Sequence, residues 1–257
     1  MSTPVRSRGG FPILRIEDWK QHASTKGKWE PHFSAMELAR LWLDEAGAGP
    51  QAVIEALAPA LPGLVLDEAV AEAQVAFDGF AGGVRNHDVL AYGHVAAGGV
   101  VVGVEGKVNE SLDATITRKY EDAARPLPPG KSTNLGKRVD ALLLAIAGRS
   151  LQDDPSLGAL RYQLFSAIAG TLAVAREETV AAAVVVHLIR SPLAKDAKFA
   201  AAHAAVADFA QALDFDADSR VIGPLTLHPE HGNGLAITHP VPCWLAVVET
   251  PAVAGGA

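Results

Sequence analysis

The stretch that most constrains this chain is Arg85–Glu110, RNHDVLAYGHVAAGGVVVGVEGKVNE. Two apolar runs flank Ala-Ala-Gly-Gly, a short connection that suits a hairpin. The second run, Val100 to Val108, is β-branched and apolar except for Glu105 and Lys107. Alternate residues of a strand share a face, so Glu105 and Lys107 project together, and Val102, Val104 and Val108 project the other way. The flanking valines indicate a strand covered on both sides. An acid and an amine there need partners, because unpaired buried charge costs several kcal/mol. Asp88 lies on the preceding strand, 17 residues before Glu105, and strand pairing can set it beside that glutamate. The plainer alternative is a Glu–Lys pair on a solvated sheet face.

The rest of the chain sets the frame for this hairpin. Its 257 residues suit one α/β domain with additions, and 49% hydrophobic with 20% charged residues argues against global disorder. A net charge of −7 and a pI near 5.7 exclude a broad nucleic-acid-coating surface, though not a local basic cleft. The single cysteine, Cys243, excludes an intrachain disulfide framework and any cysteine-rich zinc site. The N-terminus lacks the apolar stretch of a signal peptide and no run is long enough to span a membrane, so the expected location is the cytoplasm.

In chain order, Ser34-Ala35-Met36-Glu37 reads as a capping box opening a helix to about residue 46, and a second helix covers about 51–58. AVAEAQVAF (69–77) alternates like a strand, with Ala71, Ala73, Val75 and Phe77 on one face and Glu72 and Gln74 on the other. With about 87–95 and 100–108 it makes a three-stranded meander. Helices are expected over about 111–124 and 135–147, then a long one over about 156–178. On its apolar stripe of Leu160, Leu164, Ala167, Thr171 and Ala175 sits Gln163, a polar amide that must find a partner. AAAVVVHLIR (181–190) reads as a buried strand reached by a crossover, with His187 a satisfied core histidine. A helix over about 195–213 and strands over about 221–227 and 243–249 complete the chain, and residues 251–257 read as a loose tail.

Several tempting motifs are set aside. Gly130-Lys131-Ser132 is not a phosphate loop, since Arg125 stands where the pattern needs glycine. Lys26, Lys28, His32, Lys131, Lys137 and Arg138 are candidate phosphate contacts, with solvated surface as the simpler reading. His228, His231, His239 and Cys243 invite a metal cluster, but their intervals fit no standard zinc spacing.

With Asp88 on one strand and Glu105-Gly106-Lys107 on the next, the sequence resembles the PD-(D/E)xK phosphodiesterase superfamily, His87 standing where the name has proline. Segments VEGKVNE, GKR and LRYQL make it most like an uncharacterised bacterial family within that group. The resemblance implies an α/β restriction-endonuclease-like αβββαβ core, a mixed central sheet flanked by helices. That core would span 67–250 with a helical insertion at about 111–155, and 1–66 would form an N-terminal helical segment packed on it. The implied activity is divalent-metal-dependent hydrolysis of nucleic acid. Asp88 and Glu105 would hold Mg²⁺ or Mn²⁺, Lys107 would stand by the attacked phosphate, and Gln163, with Arg161 in reserve, would support the site. The superfamily usually adds an acid from the preceding helix. Glu37, Glu45 and Glu55 are candidates there and Glu72 competes from the first strand, Glu37 being better explained as a cap. Glu110, at the strand's end, is a further supporting candidate for the metal shell, with a place outside it as the simpler reading. DNA or RNA would enter through a local cleft. Because one fold hosts many functions, two other classes stay open: an inactive nuclease-fold binding module, and a small-molecule enzyme on an unrelated α/β scaffold.

Overall fold

β-branched runs and apolar alternation become strands, and the amphipathic stretches between them become helices. The structure, a computed structural model, describes residues 3–23, 29–44, 46–80, 84–128 and 132–253. The expectations attached to Lys26, Lys28, Glu45, Lys131 and residues 254–257 lie outside them. The strands are β1 (Val5–Ser7), β2 (Val65–Val75), β3 (Arg85–Val95), β4 (Gly98–Lys107), β5 (Thr179–Arg190), β6 (Val221–Leu225) and β7 (Cys243–Pro251). The α-helices are α1 (Ile16–Lys20), α2 (Ser34–Leu43), α3 (Ala48–Leu57), α4 (Ile116–Ala124), α5 (Leu135–Ala147), α6 (Tyr162–Leu172) and α7 (Asp196–Ala212).

All seven strands form one mixed sheet in the order β1-β2-β3-β4-β5-β7-β6. The β2–β3, β3–β4 and β6–β7 pairs are antiparallel; β1–β2, β4–β5 and β5–β7 are parallel. Two apolar layers cover it. Trp19, Leu38, Leu41, Trp42, Val53 and Leu57 from α1–α3 pack on one face against Ala71, Val89, Val102, Val104 and Val185. Leu142, Leu143 and Ile146 of α5, Phe165 and Ile168 of α6, and Val206 and Phe209 of α7 pack on the other, against Leu90, Val101, Val184 and Val186. The N-terminal segment thus supplies most of one covering layer, and β1 adds a strand too short to be legible from periodicity.

Four expectations are corrected. The strand 69–77 does not keep one apolar face: Ala69 and Ala71 join the α1–α3 layer, while Ala73, Val75 and Phe77 join the other. The switch falls at Glu72, whose φ of 52° breaks the two-residue alternation. The long helix over 156–178 is two pieces, a 3₁₀ turn (Pro155–Ala159) and α6. Between them Leu160 is extended, its carbonyl accepting from Ile116 N–H at 2.9 Å, and Tyr162 N–H donates to Ala114 O at 3.1 Å. The break places Gln163 in the first turn of α6. The Ser34/Glu37 capping box does not form either. Phe33 occupies the N-cap, and the Ser34 hydroxyl donates to Glu110 at 3.0 Å. Glu37 instead accepts from His32 N–H at 2.8 Å and from Arg40 at 2.9 Å. The last strand also reaches Pro251, where a tail was expected.

His187 sits in β5 fully buried, one ring nitrogen 2.8 Å from the Thr250 hydroxyl. Burial pushes its pKa down from 6.5 to about 4. The unfolded chain therefore binds a proton that the folded chain refuses. The stability this group allows is full above pH 6.5 and falls as pH drops toward 4, by up to about 3 kcal/mol. Urea midpoints of wild type and His187→Gln should diverge at neutral pH and converge on acidification; a difference independent of pH refutes the buried neutral imidazole.

Candidate functional site

The site lies where two neighbouring strands part. β3 and β4 are paired from Val95↔Gly98 to Val89↔Val104. Beyond that level Arg85–His87 remain paired with β2, whereas Glu105–Lys107 remain paired with β5 (Glu105↔Val186, Lys107↔Leu188). The fork leaves Gly106 N–H without a ladder acceptor, and the Asp88 carboxylate takes its place, accepting at 2.8 Å. A side chain thus completes the backbone bonding, as buried amides require, and brings Asp88 against the residue between Glu105 and Lys107.

Glu105 is 1% exposed and every oxygen is engaged. One faces the Arg85 guanidinium in a close ion pair and His87 Nδ1 at 3.3 Å. The other accepts from Gln163 Nε2 at 2.7 Å. Burial alone would raise the Glu105 pKa; Arg85 first, and His87 with it, outweigh burial and hold it at about 2. Asp88 goes the other way. Burial and the neighbouring Glu105 charge push it up to about 6, against Lys107, Arg85 and the Gly106 N–H. Burial lowers the His87 pKa despite Glu105, so the ring is neutral near pH 7. Lys107 is 8% exposed and donates to Gly106 O at 3.0 Å.

Room for the Arg85 and His87 side chains comes from two glycines. A Cβ on Gly170 of α6 would stand 2.6 Å from His87 Nε2 and 2.9 Å from Arg85 Cγ. One on Gly103 would strike the Thr171 hydroxyl and lie 3.1 Å from His87 Nδ1. α6 can therefore close on the sheet and deliver Gln163, whose Oε1 is fixed in turn by Asp113 N–H at 3.2 Å. Beside the cluster opens a cleft of about 230 Å³, walled by Lys107, Gln163, Glu110, Asp113, Ser111 and the start of α2 at Ser34 and Ala35.

The structure therefore brings together Asp88, Glu105, Lys107 and Gln163, and it separates the other candidates from them. Glu110 borders the cleft, but its oxygens accept from Ser34 N–H and Oγ at 3.1 and 3.0 Å and from Val108 and Asn109 N–H at 3.0 and 3.1 Å. It ties the end of β4 to the start of α2. Glu72 is level with Asp88 on β2, yet its side chain accepts from Trp19 Nε1 at 3.5 Å in the α1–α3 layer. Glu55 bonds to Gln51 at 2.8 Å and lines a different groove, with α7 and β7. Arg161 donates to Asp113 O at 3.3 Å on the surface. Arg138 pairs with Asp78 and is buried, so it does not stand ready for a phosphate. In the set-aside grouping of His228, His231, His239 and Cys243, the thiol is buried on β7, and burial pushes its pKa up to about 12. Arg85 and His87 were missed; their spacing from Asp88 carried a signal, two basic side chains alternating just before the acid.

A hard divalent cation binds through oxygen, and the donor chemistry of Asp88 and Glu105 fits one. Two carboxylates in each other's field are also a pair that a cation relieves. Arg85 and Lys107, however, already balance them charge for charge, so the cation would compete with Arg85 for Glu105.

Fold and site define a seven-stranded mixed α/β domain with a buried carboxylate–cation cluster at a fork in its sheet. The chain belongs to the DUF6946 family, a domain of unknown function, whose sequence model matches residues 12–231. No curated protein and no solved structure matches it. No helix among the described residues is long and apolar enough to cross a membrane.

Proposed function

We propose that the protein is a divalent-metal-dependent phosphodiesterase acting on nucleic acid, on a restriction-endonuclease-like core made by α3, β2–β4, α6 and β5. The observation that carries this reading is the convergence of Asp88, Glu105, Lys107 and Gln163 at the fork beside an open cleft. Asp88 and Glu105 would hold Mg²⁺ or Mn²⁺, which when bound polarises a phosphate and acidifies water. The chain's own residues do the rest. Arg85 and His87 keep Glu105 ionised, Gln163 fixes its rotamer, and the Lys107 ammonium stabilises charge developing on the phosphate. The −7 net charge confines nucleic acid to the cleft mouth rather than a broad face.

A second reading has its own support: the charge balance at the fork suits a binding module that has given up catalysis. One assay separates them. Wild type and Lys107→Ala are incubated with single- and double-stranded DNA and RNA in Mn²⁺. The enzyme reading expects cleavage by wild type and a loss of about 100-fold or more in the variant. Cleavage by neither protein favours the binding module, and equal cleavage by both assigns the chemistry elsewhere.

A further inference from the structure

The loop 226–242, between β6 and β7, crosses the C-terminal end of α5. His228 N–H donates to Ala145 O at 2.7 Å, fastening the loop to the last turn of that helix. His231 N–H donates to His228 O at 2.9 Å, which folds His228-Pro229-Glu230-His231 into a single turn. The His228 ring lies over Gly148, the left-handed residue that ends α5; a Cβ there would come within 3.0 Å of Nε2. The other nitrogen, Nδ1, faces Glu230 Oε1 at 3.9 Å, and His231 Nε2 faces the same oxygen at 3.7 Å. The two rings are stacked, 5° from parallel with centroids 5.7 Å apart.

These distances decide what the turn is for. Hydrogen bonds between nitrogen and oxygen span about 2.7–3.2 Å, so neither imidazole is bonded to the carboxylate. Around tetrahedral zinc, with bonds of roughly 2.0–2.1 Å, ligand atoms stand roughly 3.3–3.4 Å apart. The two nitrogen–oxygen distances exceed that by only a few tenths of an ångström, and all three donor atoms lie within 4.8 Å of one another, within reach of side-chain rotation. The negative end of the α5 dipole adds a field that favours a cation. We propose that His228, Glu230 and His231 bind a divalent transition ion of the zinc class, with water completing the shell. Two imidazoles and one carboxylate suit zinc, whereas Mg²⁺ and Ca²⁺ prefer oxygen alone. The site is thus chemically distinct from the fork and does not depend on the phosphodiesterase reading.

Its effect is on the frame. The same loop accepts from Gly79 N–H at Gly234 O (2.8 Å) and donates from Ala236 N–H to Phe77 O (2.8 Å). A metal in the turn stiffens a loop whose own backbone is already hydrogen-bonded to α5 and to the chain that leads from β2 into β3. The test uses the full chain, untagged and stripped with chelator, titrated with Zn²⁺ by calorimetry and with Co²⁺ as a visible-absorption probe. One equivalent should bind and raise Tm. His231→Ala and Glu230→Gln, both at exposed positions, should weaken binding at least about tenfold, while Asp88→Asn leaves it unchanged. The proposal fails if no heat and no Tm change accompany about 1 mM Zn²⁺. It fails equally if His231→Ala binds Zn²⁺ as tightly as wild type, or if uptake disappears in Asp88→Asn.

Discussion

Arg85→Met destabilises the protein by about 3–5 kcal/mol at neutral pH, the cost of leaving a buried ion without its partner. Glu105 is 1% exposed and keeps as direct partners only His87 and Gln163 once the guanidinium is gone, with the Lys107 charge shared with Asp88. Neither direct partner replaces a full positive charge, and one ammonium is left to balance two carboxylates. The control is the double variant Arg85→Met/Glu105→Gln, which removes the stranded charge and should recover most of the loss. Mn²⁺ should then raise the Tm of Arg85→Met by more than that of wild type, since the cation takes the position Arg85 gives up. Urea titrations read the first two results and thermal melts the third. A single-variant cost below about 1 kcal/mol would mean that water reaches Glu105 and that the fork is not the dry cluster described above.

Asp88→Asn should have the opposite sign for stability. A carboxyl pushed up from 3.8 to about 6 is a group that folding disfavours in its ionised form. Its contribution is fully present below pH 3.8 and is lost as pH rises through 6. At pH 7 the folded protein carries the whole penalty, up to about 3 kcal/mol. Asparagine keeps an oxygen for the Gly106 N–H and sheds the charge, so the variant should be more stable than wild type at pH 7 and lose that advantage on acidification toward pH 4. It should also lose any Mn²⁺-dependent cleavage. Greater stability with no activity is the signature of a residue kept for chemistry. A variant less stable than wild type at pH 7 would show instead that Asp88 serves mainly to hold β3 to β4.

Much of this was legible because the decisive residues sit on strongly patterned segments. The hairpin of β3 and β4, the shared face of Glu105 and Lys107, and the buried β5 all follow from β-branched runs and a Gly-rich turn. Gln163 could be singled out because an amide on an apolar stripe needs a partner, and it finds Glu105. What stayed hidden depends on contacts between distant segments. The side-chain alternation of β2 switches layers at Glu72, and no local propensity announces a left-handed glutamate. Arg85 and His87 reach the cluster only because Gly103 and Gly170, on separate elements, leave room for them. The break at Leu160–Arg161 is imposed by the chain at Ala114–Ile116. Ser34 and Glu37 have the letters of a capping box, but Glu110 and Arg40 offer them charged partners, and those bonds outweigh a cap.

The parallel pairing of β4 with β5 also governs when the cluster can exist. The hairpin of β3 and β4 is local, yet the far edge of β4 is covered only after the chain has passed Thr179 and returned through α4, α5 and α6. A nascent or truncated polypeptide ending earlier keeps Glu105 and Lys107 in water on an open sheet margin, where solvent screens their charges. Such a margin also invites another molecule's strand. Synthesis of the second half therefore completes the buried cluster and covers the open margin in the same event.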